Sequence, residues 1–262
     1  MAELWYKEER GYQMADKFFL SVIIPAYNEA KNIDKGVLNA VSEYLEKQIY
    51  SWEVLLVDDG STDSTLDALY RYEQKHKNVR VLLEPHRGKG GTVIAGMLKA
   101  KGEIVLFTDL DQATPLPEIE KFLPNFKEGY DIVIGSRSGR KGAPLVRKLM
   151  AWGFSLLRTI ILRLPYKDTQ CGFKAFKKEA AQKIFSKMKI YNDKVVAGAA
   201  VTAGFDLELL YIARKLGLKV KEVEVTWLHQ ETEKINPIKD SLDALTDLLR
   251  VRINALMGKY KV

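Results

Sequence analysis

The chain is nearly devoid of cysteine and has no long hydrophobic run. Its single cysteine, Cys171, excludes an internal disulfide and a zinc site built from thiolates, and it is typical of a reducing compartment. No stretch of about 18 or more apolar residues occurs, so a transmembrane helix is not predicted. The N-terminal segment 1–18 is polar and lacks the apolar middle of a signal peptide. We therefore expect a cytoplasmic protein.

Two common nucleotide-binding signatures are also absent. Segment 87–92 reads RGKGGT, but the earlier glycine of a P-loop is missing and Gly90 stands where Ser or Thr should follow the lysine. No Gly-x-Gly-x-x-Gly follows the first predicted strand, which disfavours a dinucleotide-binding fold. The glycines still open a predicted helix, so Lys89 and the neighbouring N–H groups are candidates to bind an anion. A flexible turn is the alternative.

The composition indicates a globular protein with an excess of positive charge. Hydrophobic residues make up 47% of the 262 residues and charged residues 29%, which excludes a disordered chain. The net charge of +7 suits nucleic acid, an anionic membrane surface or a phosphate-rich substrate, although scattered basic residues can also be plain solvated surface. No nucleic-acid-binding motif is present and acidic residues crowd the predicted cleft, so nucleic acid is excluded.

Short apolar runs alternate with amphipathic helical patterns along the chain. This alternation predicts an α/β domain with a mostly parallel sheet whose ligands lie beyond the carboxyl ends of the strands. Strands are predicted at 19–24, 53–57, 79–83, 103–108, 131–135 and 220–227. Helices are predicted at 33–45, 63–76, 90–101, 144–164, 205–216 and 237–257.

Acidic residues follow two of these strands. Asp109 and Asp111 come directly after the strand at 103–108, where both carboxylates can reach one divalent cation if the chain bends. Mg²⁺ and Mn²⁺ prefer such oxygen ligands and often complete their shell with diphosphate oxygens. Asp58 and Asp59 follow the strand at 53–57 and could accept hydrogen bonds from a nucleobase or ribose. Loop capping is the alternative for both pairs, and Asp63 is expected to serve the turn.

Taken together, the motifs resemble glycosyltransferase family 2 in order and spacing. They are VIIPAYNE at 22–29, VDDGSTD at 57–63, TDLD at 108–111 and GSR at 135–137. The blocks DTQCGFKAF at 168–176 and GFDLELL at 204–210 are similar to those of the dolichyl-phosphate sugar synthases, the glucose branch in particular. The resemblance covers roughly residues 19–235, which we expect to form the catalytic domain, with a C-terminal amphipathic helix over 236–262.

This resemblance implies a GT-A fold, a Mg²⁺ or Mn²⁺ cofactor and inversion at the anomeric carbon. The donor would be a nucleotide-sugar, with UDP-glucose favoured and GDP-mannose next, and the acceptor a polyprenyl or dolichyl phosphate. By matching position, the nucleoside would be held by Pro25, Tyr27, Glu29 and Asp58 or Asp59. The metal and diphosphate would be held by Asp109 and Asp111, with Lys89 nearby. The acceptor phosphate would be bound by Arg137 and Arg147.

The chain departs from the mannose branch at two places. The glutamine that assists the metal in that branch stands one position early, as Gln112, which puts its metal role in doubt. A C-terminal Ser-Lys-Leu is replaced by Glu233-Lys234-Ile235, so only Lys234 transfers as a phosphate contact. His229 lies near the predicted site and is a weaker candidate for metal or diphosphate.

Two chemistries remain open from the residues. A lipid phosphate is already ionised and needs no base, so the site would act by positioning and charge stabilisation. A sugar hydroxyl acceptor would need a carboxylate base, for which Asp206 is the candidate. A nucleotide-sugar-binding module without turnover is the non-enzymatic alternative. The apolar faces at 145–164 and 242–257, which carry Arg and Lys, predict a peripheral protein on the cytoplasmic membrane face, with core packing as the alternative.

Overall fold

The computed structural model describes residues 18–137, 145–190, 203–228 and 237–260, and of helix residues 145–152, 203 and 237–243 it describes the backbone alone. Seven strands form one sheet in these ranges, and most are continuous apolar runs because both sheet faces are covered by helices. The strands are β1 (Leu20–Ala26), β2 (Trp52–Asp58), β3 (Val79–Leu83), β4 (Ile104–Phe107), β5 (Ile132–Arg137), β6 (Lys174–Lys177) and β7 (Val220–Val225).

The strand order is β3-β2-β1-β4-β6-β5-β7. Strands β1 to β4 pair in parallel, as do β5 and β7, whereas β6 is antiparallel to both of its neighbours. The carboxyl ends of the parallel strands therefore lie at one edge of the sheet, where their loops carry the acidic motifs. The mostly parallel α/β architecture predicted from the sequence is confirmed.

Helices cover both faces of the sheet. They are α1 (Ala30–Asp34), α2 (Val37–Leu45), α3 (Thr65–Glu73), α4 (Gly88–Lys99), α5 (Leu123–Lys127), α6 (Leu145–Leu162), α7 (Lys178–Phe185), α8 (Ala203–Lys215) and α9 (Pro237–Leu256). A 3-10 helix, Leu116–Lys121, precedes α5. No helix among the described residues is long and apolar enough to cross a bilayer.

Two apolar cores lie on opposite faces of the sheet. One contains β1 and β4 side chains with α4, α7 and α8, and the last helix joins it through the buried Leu248 and Val251. The other contains α2 and the segment around Phe122. Because α9 buries side chains in the main core, its inner face packs on the same body as the sheet.

Strand β6 and helix α7 are absent from the sequence prediction. Strand β6 has four residues, KAFK, and it carries no long apolar run that would mark a central strand. It lies between β4 and β5, where Phe107 is the register partner of Lys174. The short helices over residues 116–127 were not predicted either, because each has fewer than seven residues.

Candidate functional site

The acid pair lies in the turn that follows β4. The backbone N–H of Ala113 donates a hydrogen bond to Asp111 Oδ1 over 2.9 Å. Gln112 has a left-handed backbone, with φ of 50°, and its side chain donates to the Asp109 carbonyl over 2.8 Å. The Gln112 amide is therefore used to hold the turn, in agreement with the doubt about its role at a metal.

A glycine from another loop, Gly172, lies directly against this turn. A Cβ built on Gly172 would lie 2.1 Å from Asp109 Oδ2, which is far inside van der Waals contact. Only glycine allows the loop at 168–173 to pack against the Asp109 carboxylate as closely as it does here. The Asp109 carboxylate is thus held between its own turn after β4 and the loop at 168–173.

The charges around the acid pair suit a divalent cation. Burial, together with the charge of Asp109, raises the pKa of Asp111, and a cation bound between the two carboxylates would oppose this shift. The Lys89 ammonium is paired with Asp109, and although desolvation lowers the pKa of Lys89, Asp109 raises it overall. Within the described ranges no three His, Cys, Asp or Glu side chains form a metal site. The pair therefore fits Mg²⁺ or Mn²⁺ only if other oxygen ligands complete the shell.

The loop after β2 holds two aspartates in different ways. Both carboxylate oxygens of Asp59 are used, one by the backbone N–H of Arg87 over 2.8 Å and one by Nδ1 of His86 over 2.8 Å. Asp58 accepts one bond from the Ser61 N–H over 3.0 Å, and its Oδ1 is buried with no hydrogen-bond partner among the described residues. Of the two, Asp58 therefore retains a free acceptor atom.

The loop after β1 lies beside these aspartates. The ring of Tyr27 stacks on His86, with centroids 4.1 Å apart and planes 11° from parallel. The N–H of Glu29 donates to Thr65 Oγ1 over 2.7 Å. Pro25 is part of β1 and pairs in register with Val57, which brings this loop and the Asp58 loop to the same edge. The structure thus brings together all five residues expected to hold the nucleoside.

The turn after Asp59 connects the loop after β1 with the helix that follows β2. The Ser61 hydroxyl accepts a hydrogen bond from the Asn28 N–H over 3.1 Å and so joins this turn to the loop after β1. The helix begins at Thr65, whose N–H donates to Asp63 Oδ1 over 2.9 Å. The turn role predicted for Asp63 is confirmed.

Arg137 ends β5 and is held in one orientation by Asp168. Its Nε and Nη2 donate to the two carboxylate oxygens over 2.6 and 2.9 Å, and its backbone N–H donates over 3.1 Å. Burial alone would raise the pKa of Asp168, but Arg137 lowers it overall. The guanidinium also lies 6.0 Å from the centroid of the Trp227 ring, whose residue is 41% exposed. A fixed cation therefore lies beside an exposed aromatic surface.

Asp206 lies in the first turn of α8 and points toward the sheet. The Lys174 ammonium donates to Asp206 Oδ1 over 2.7 Å. Burial raises the pKa of Asp206, while the charges of Lys174 and Lys89 act in the opposite direction. The charge of Asp206 in turn contributes to raising the pKa values of Lys89 and Arg137. These side chains are therefore close enough to form one electrostatic cluster with the acid pair.

For three predicted site residues the structure describes no side chain. His229 and Lys234 are not among the described residues, and Arg147 belongs to the part of α6 whose side chains are not described. Cys171 is buried, and burial raises the pKa of its thiol, which favours a packed thiol over a reactive thiolate.

Sequence reasoning missed three residues of this site: Asp168, Lys174 and Trp227. Asp168 and Lys174 are both part of the block DTQCGFKAF, so the motif contained the signal without indicating which atoms pair. For His86 the sequence leaves open a place facing the nucleotide or a role in the turn, and only the structure shows its stack on Tyr27. An ion pair between residues about 30 positions apart has no periodic signature in a sequence.

The chain matches known proteins over most of its length. The family model for Glycosyl transferase family 2 matches residues 21–185. The chain is 34% identical to a dolichyl-phosphate beta-glucosyltransferase of Dictyostelium discoideum over 264 residues, which cover 94% of this chain and 78% of that protein. It is also 34% identical to the Homo sapiens protein of that name over 262 residues, 93% of this chain and 78% of that one.

A solved structure shows the same fold at lower identity. Glucosyl-3-phosphoglycerate synthase from Mycobacterium tuberculosis, in complex with Mn²⁺, UDP-glucose and phosphoglyceric acid, superposes with a TM-score of 0.59 and 19% identity. The match covers 90% of this chain and 80% of that one. The sheet and its flanking helices thus form a GT-A fold, and the chain is a glycosyltransferase that belongs to glycosyl transferase family 2.

Proposed function

We propose that this glycosyltransferase moves glucose from UDP-glucose to the phosphate of a dolichyl or other polyprenyl phosphate, with inversion at the anomeric carbon. The names of relatives that match over 90% of the chain support this choice. The observation that carries it is the position of Arg137, an oriented cation in the charge cluster of the acid pair and beside the exposed Trp227. A phosphate attached to a long apolar chain suits a cation next to an exposed apolar ring.

The donor side would be formed by the loops after β1, β2 and β4. Tyr27, Pro25 and Glu29 would line the nucleoside site, and Asp58 Oδ1 would accept a hydrogen bond from the base or ribose. Asp59 would act by holding His86 against Tyr27. Lys89 would exchange its contact with Asp109 for the donor diphosphate, because a phosphate offers the ammonium more charge than one carboxylate.

Asp109 and Asp111 would hold Mg²⁺ or Mn²⁺ together with oxygens of the donor diphosphate. When bound, the metal neutralises the charge that develops on the departing nucleoside diphosphate. The mycobacterial structure was solved with Mn²⁺ and UDP-glucose, and it supports this choice of cofactor and donor. GDP-mannose remains the second candidate donor.

On the acceptor side, Arg137 would bind a phosphate oxygen through the N–H groups that Asp168 leaves available. The planar guanidinium suits phosphate because its N–H groups can bond two oxygens at once. Arg147 and Lys234 stay predictions as further phosphate contacts, and His229 stays one at the metal.

The chemistry proposed here needs no general base. An acceptor phosphate oxygen is ionised at neutral pH, so the enzyme has to hold it against the anomeric carbon in spite of the donor's negative charge. Asp206 is occupied by the buried Lys174, which leaves it poorly suited to take a proton from a hydroxyl. Its role in this account is to orient Lys174 and the charges around it.

We further propose that the acceptor is reached from the membrane surface. The outer face of α9 carries exposed apolar side chains although its inner face is already buried in the core. The exposed apolar residues on α9 and directly after it are Leu245, Leu249, Ile253, Leu256 and Met257. The neighbouring α6 exposes three more: Leu156, Leu157 and Ile160. Arg252 and Lys259 are exposed on or just beyond α9, so the surface suits anionic headgroups.

Flotation with anionic liposomes tests the membrane surface. Wild-type protein and the control Leu83→Ser, which removes an exposed leucine from β3, should float with the vesicles. The double variant Leu249→Ser/Ile253→Ser should remain largely at the bottom of the gradient. Equal flotation of all three proteins, or no flotation of the wild type, would contradict the proposal.

The transfer itself is tested by a donor panel with a short polyprenyl phosphate, read by mass spectrometry. We expect a metal-dependent product whose mass equals the acceptor plus one hexose, formed fastest from UDP-glucose. Faster transfer from GDP-mannose would show that GDP-mannose, and not UDP-glucose, is the preferred donor. Product formed only on a sugar hydroxyl would show that the acceptor is a hydroxyl and that a general base is needed. Tight nucleotide binding with no product from any donor would favour a binding module.

A further inference from the structure

Lys174 is a cation that has no access to water. Its side chain is fully buried at the start of β6, between β4 and β5. Burying a lone ammonium is costly, and such groups persist where hydrogen bonds and an opposite charge compensate them. The partners of Lys174 are Asp206 Oδ1 at 2.7 Å, the carbonyl oxygen of Cys171, and the face of Phe107 with its centroid 5.4 Å away.

These contacts connect Lys174 to both sides of the site. Through Asp206 it fixes a carboxylate on α8 that interacts with Lys89 and Arg137. Through the Cys171 carbonyl it fixes the turn whose next residue, Gly172, lies directly against the Asp109 carboxylate. A single side chain therefore bonds the loop that abuts the proposed metal ligand and the first turn of α8.

We infer that Lys174 is a positioning residue for sugar transfer: it holds the Asp206 carboxylate and the Cys171–Gly172 turn in the arrangement that the reacting groups require. The inference rests on the proposed function, because transfer is the reaction that it serves. Lys174 is too deeply buried to touch the donor or the acceptor, so it acts on the rate through Asp206 and the turn. Its loss should lower kcat more than it changes the KM of the donor.

The test is a set of variants with a matched control. Lys174→Met keeps the length of the side chain and removes its charge, and Asp206→Asn removes the partner charge. Lys177→Met is the control, since Lys177 ends the same strand and pairs with Asp131 at 3.6 Å, outside the charge cluster of the site. Transfer from UDP-glucose to a short polyprenyl phosphate gives kcat and KM, and UDP binding with Mn²⁺ is measured by calorimetry.

We expect Lys174→Met to lower kcat about tenfold or more, with donor KM changed by less than about threefold, while Lys177→Met stays near wild type. The double variant Lys174→Met/Asp206→Asn should lose clearly less than the product of the two single losses, because both act through one contact. A kcat for Lys174→Met within about twofold of wild type, or a double loss equal to that product, would overturn the inference.

Stability provides a readout that does not depend on the substrate. Removing one member of a buried ion pair leaves the other charge uncompensated, so Lys174→Met should lower the urea midpoint more than the double variant does. If Lys174→Met does not fold, the double variant is compared with Asp206→Asn, and equal kcat values support the inference while a tenfold gap contradicts it. Absence of transfer by the wild type would count against the proposed function, whereas additive urea effects would count against the Lys174–Asp206 contact itself.

Discussion

The two sides of the site are assembled by different means. On the donor side, the loops after β1, β2 and β4 meet because neighbouring parallel strands end at one edge of the sheet. On the proposed acceptor side, Arg137 is held by an ion pair with the distant Asp168, and the Lys174–Asp206 pair, which connects both sides, likewise joins distant segments. The carboxylate of Asp247 on α9 likewise accepts from the Gly204 N–H at the start of α8, over 3.1 Å.

This difference suggests how each side should respond to mutation. Donor-side residues stand on a rigid sheet edge, so a substitution there should change one contact and leave the rest in place. Acceptor-side residues hold one another in place, so a substitution at one of them should also displace its partner. Separate measurements of donor and acceptor kinetic constants therefore distinguish the two sides.

The largest effect is expected at the acid pair, which in the proposed function holds the metal and the donor diphosphate. Chelation of divalent metal should abolish transfer, and Asp111→Asn should lower kcat/KM by about 1000-fold, because a metal stabilises the departing diphosphate by several kcal/mol. Added Mn²⁺ should restore the chelated wild type but not the variant. Unchanged turnover in the presence of excess chelator would contradict a metal-dependent site.

Arg137→Lys should act on the acceptor alone. A lysine keeps the charge but loses the planar fork that Asp168 orients, so the KM for polyprenyl phosphate should rise by about 30-fold while the dissociation constant of UDP stays the same. Arg80→Lys is the matched control, since Arg80 on β3 forms a comparable ion pair at 2.8 Å with Glu53 on β2. An equal rise in the donor KM would show that Arg137 belongs to the donor side.

Gly172→Ala tests the contact between the two sides. The added methyl group would displace the Asp109 carboxylate, so Mn²⁺ and UDP should bind about tenfold more weakly. Gly153→Ala is the control, because a Cβ at Gly153 meets nothing within 4 Å. Calorimetry measures both, and equal affinities for the two variants would show that the loop at 168–173 does not support Asp109.

Asp58→Asn should give the smallest effect and confine it to the donor. Replacing one acceptor oxygen should raise the donor KM about fivefold and leave the acceptor KM unchanged. Asp63→Asn removes a carboxylate from the same loop, but it should cost only about 1 kcal/mol of stability through the Thr65 N–H contact. A larger change in donor KM for Asp63→Asn than for Asp58→Asn would contradict the assignment of Asp58.

The same contrast explains what could be predicted from the sequence. The strands from β1 to β5 and the acid motifs at their ends follow from apolar runs and the rule for parallel sheets, and the structure agrees. Strand β6 was missed because its four residues carry two lysines, one of which is buried only because Asp206 compensates it. Contacts of this kind depend on which distant residue supplies the opposite charge, and no local pattern contains that information.

The aspartates of the β2 loop illustrate the same limit at the level of atoms. The motif indicated that Asp58 or Asp59 would face the donor, but the choice depends on which oxygens are already bonded. His86 and the Arg87 N–H occupy Asp59, and both come from the loop after β3. Their position became known only with the fold.

Single-turnover transfer by Asp206→Asn tests the central claim, that lipid phosphate is glycosylated by positioning without a base. With UDP-glucose, Mn²⁺ and polyprenyl phosphate in buffer without urea, the account predicts a loss of about tenfold with UDP affinity near its wild-type value, although the urea midpoint should fall because the buried Lys174 loses its opposite charge. A loss of about 1000-fold or more under those conditions, the effect of deleting a general base, would contradict it.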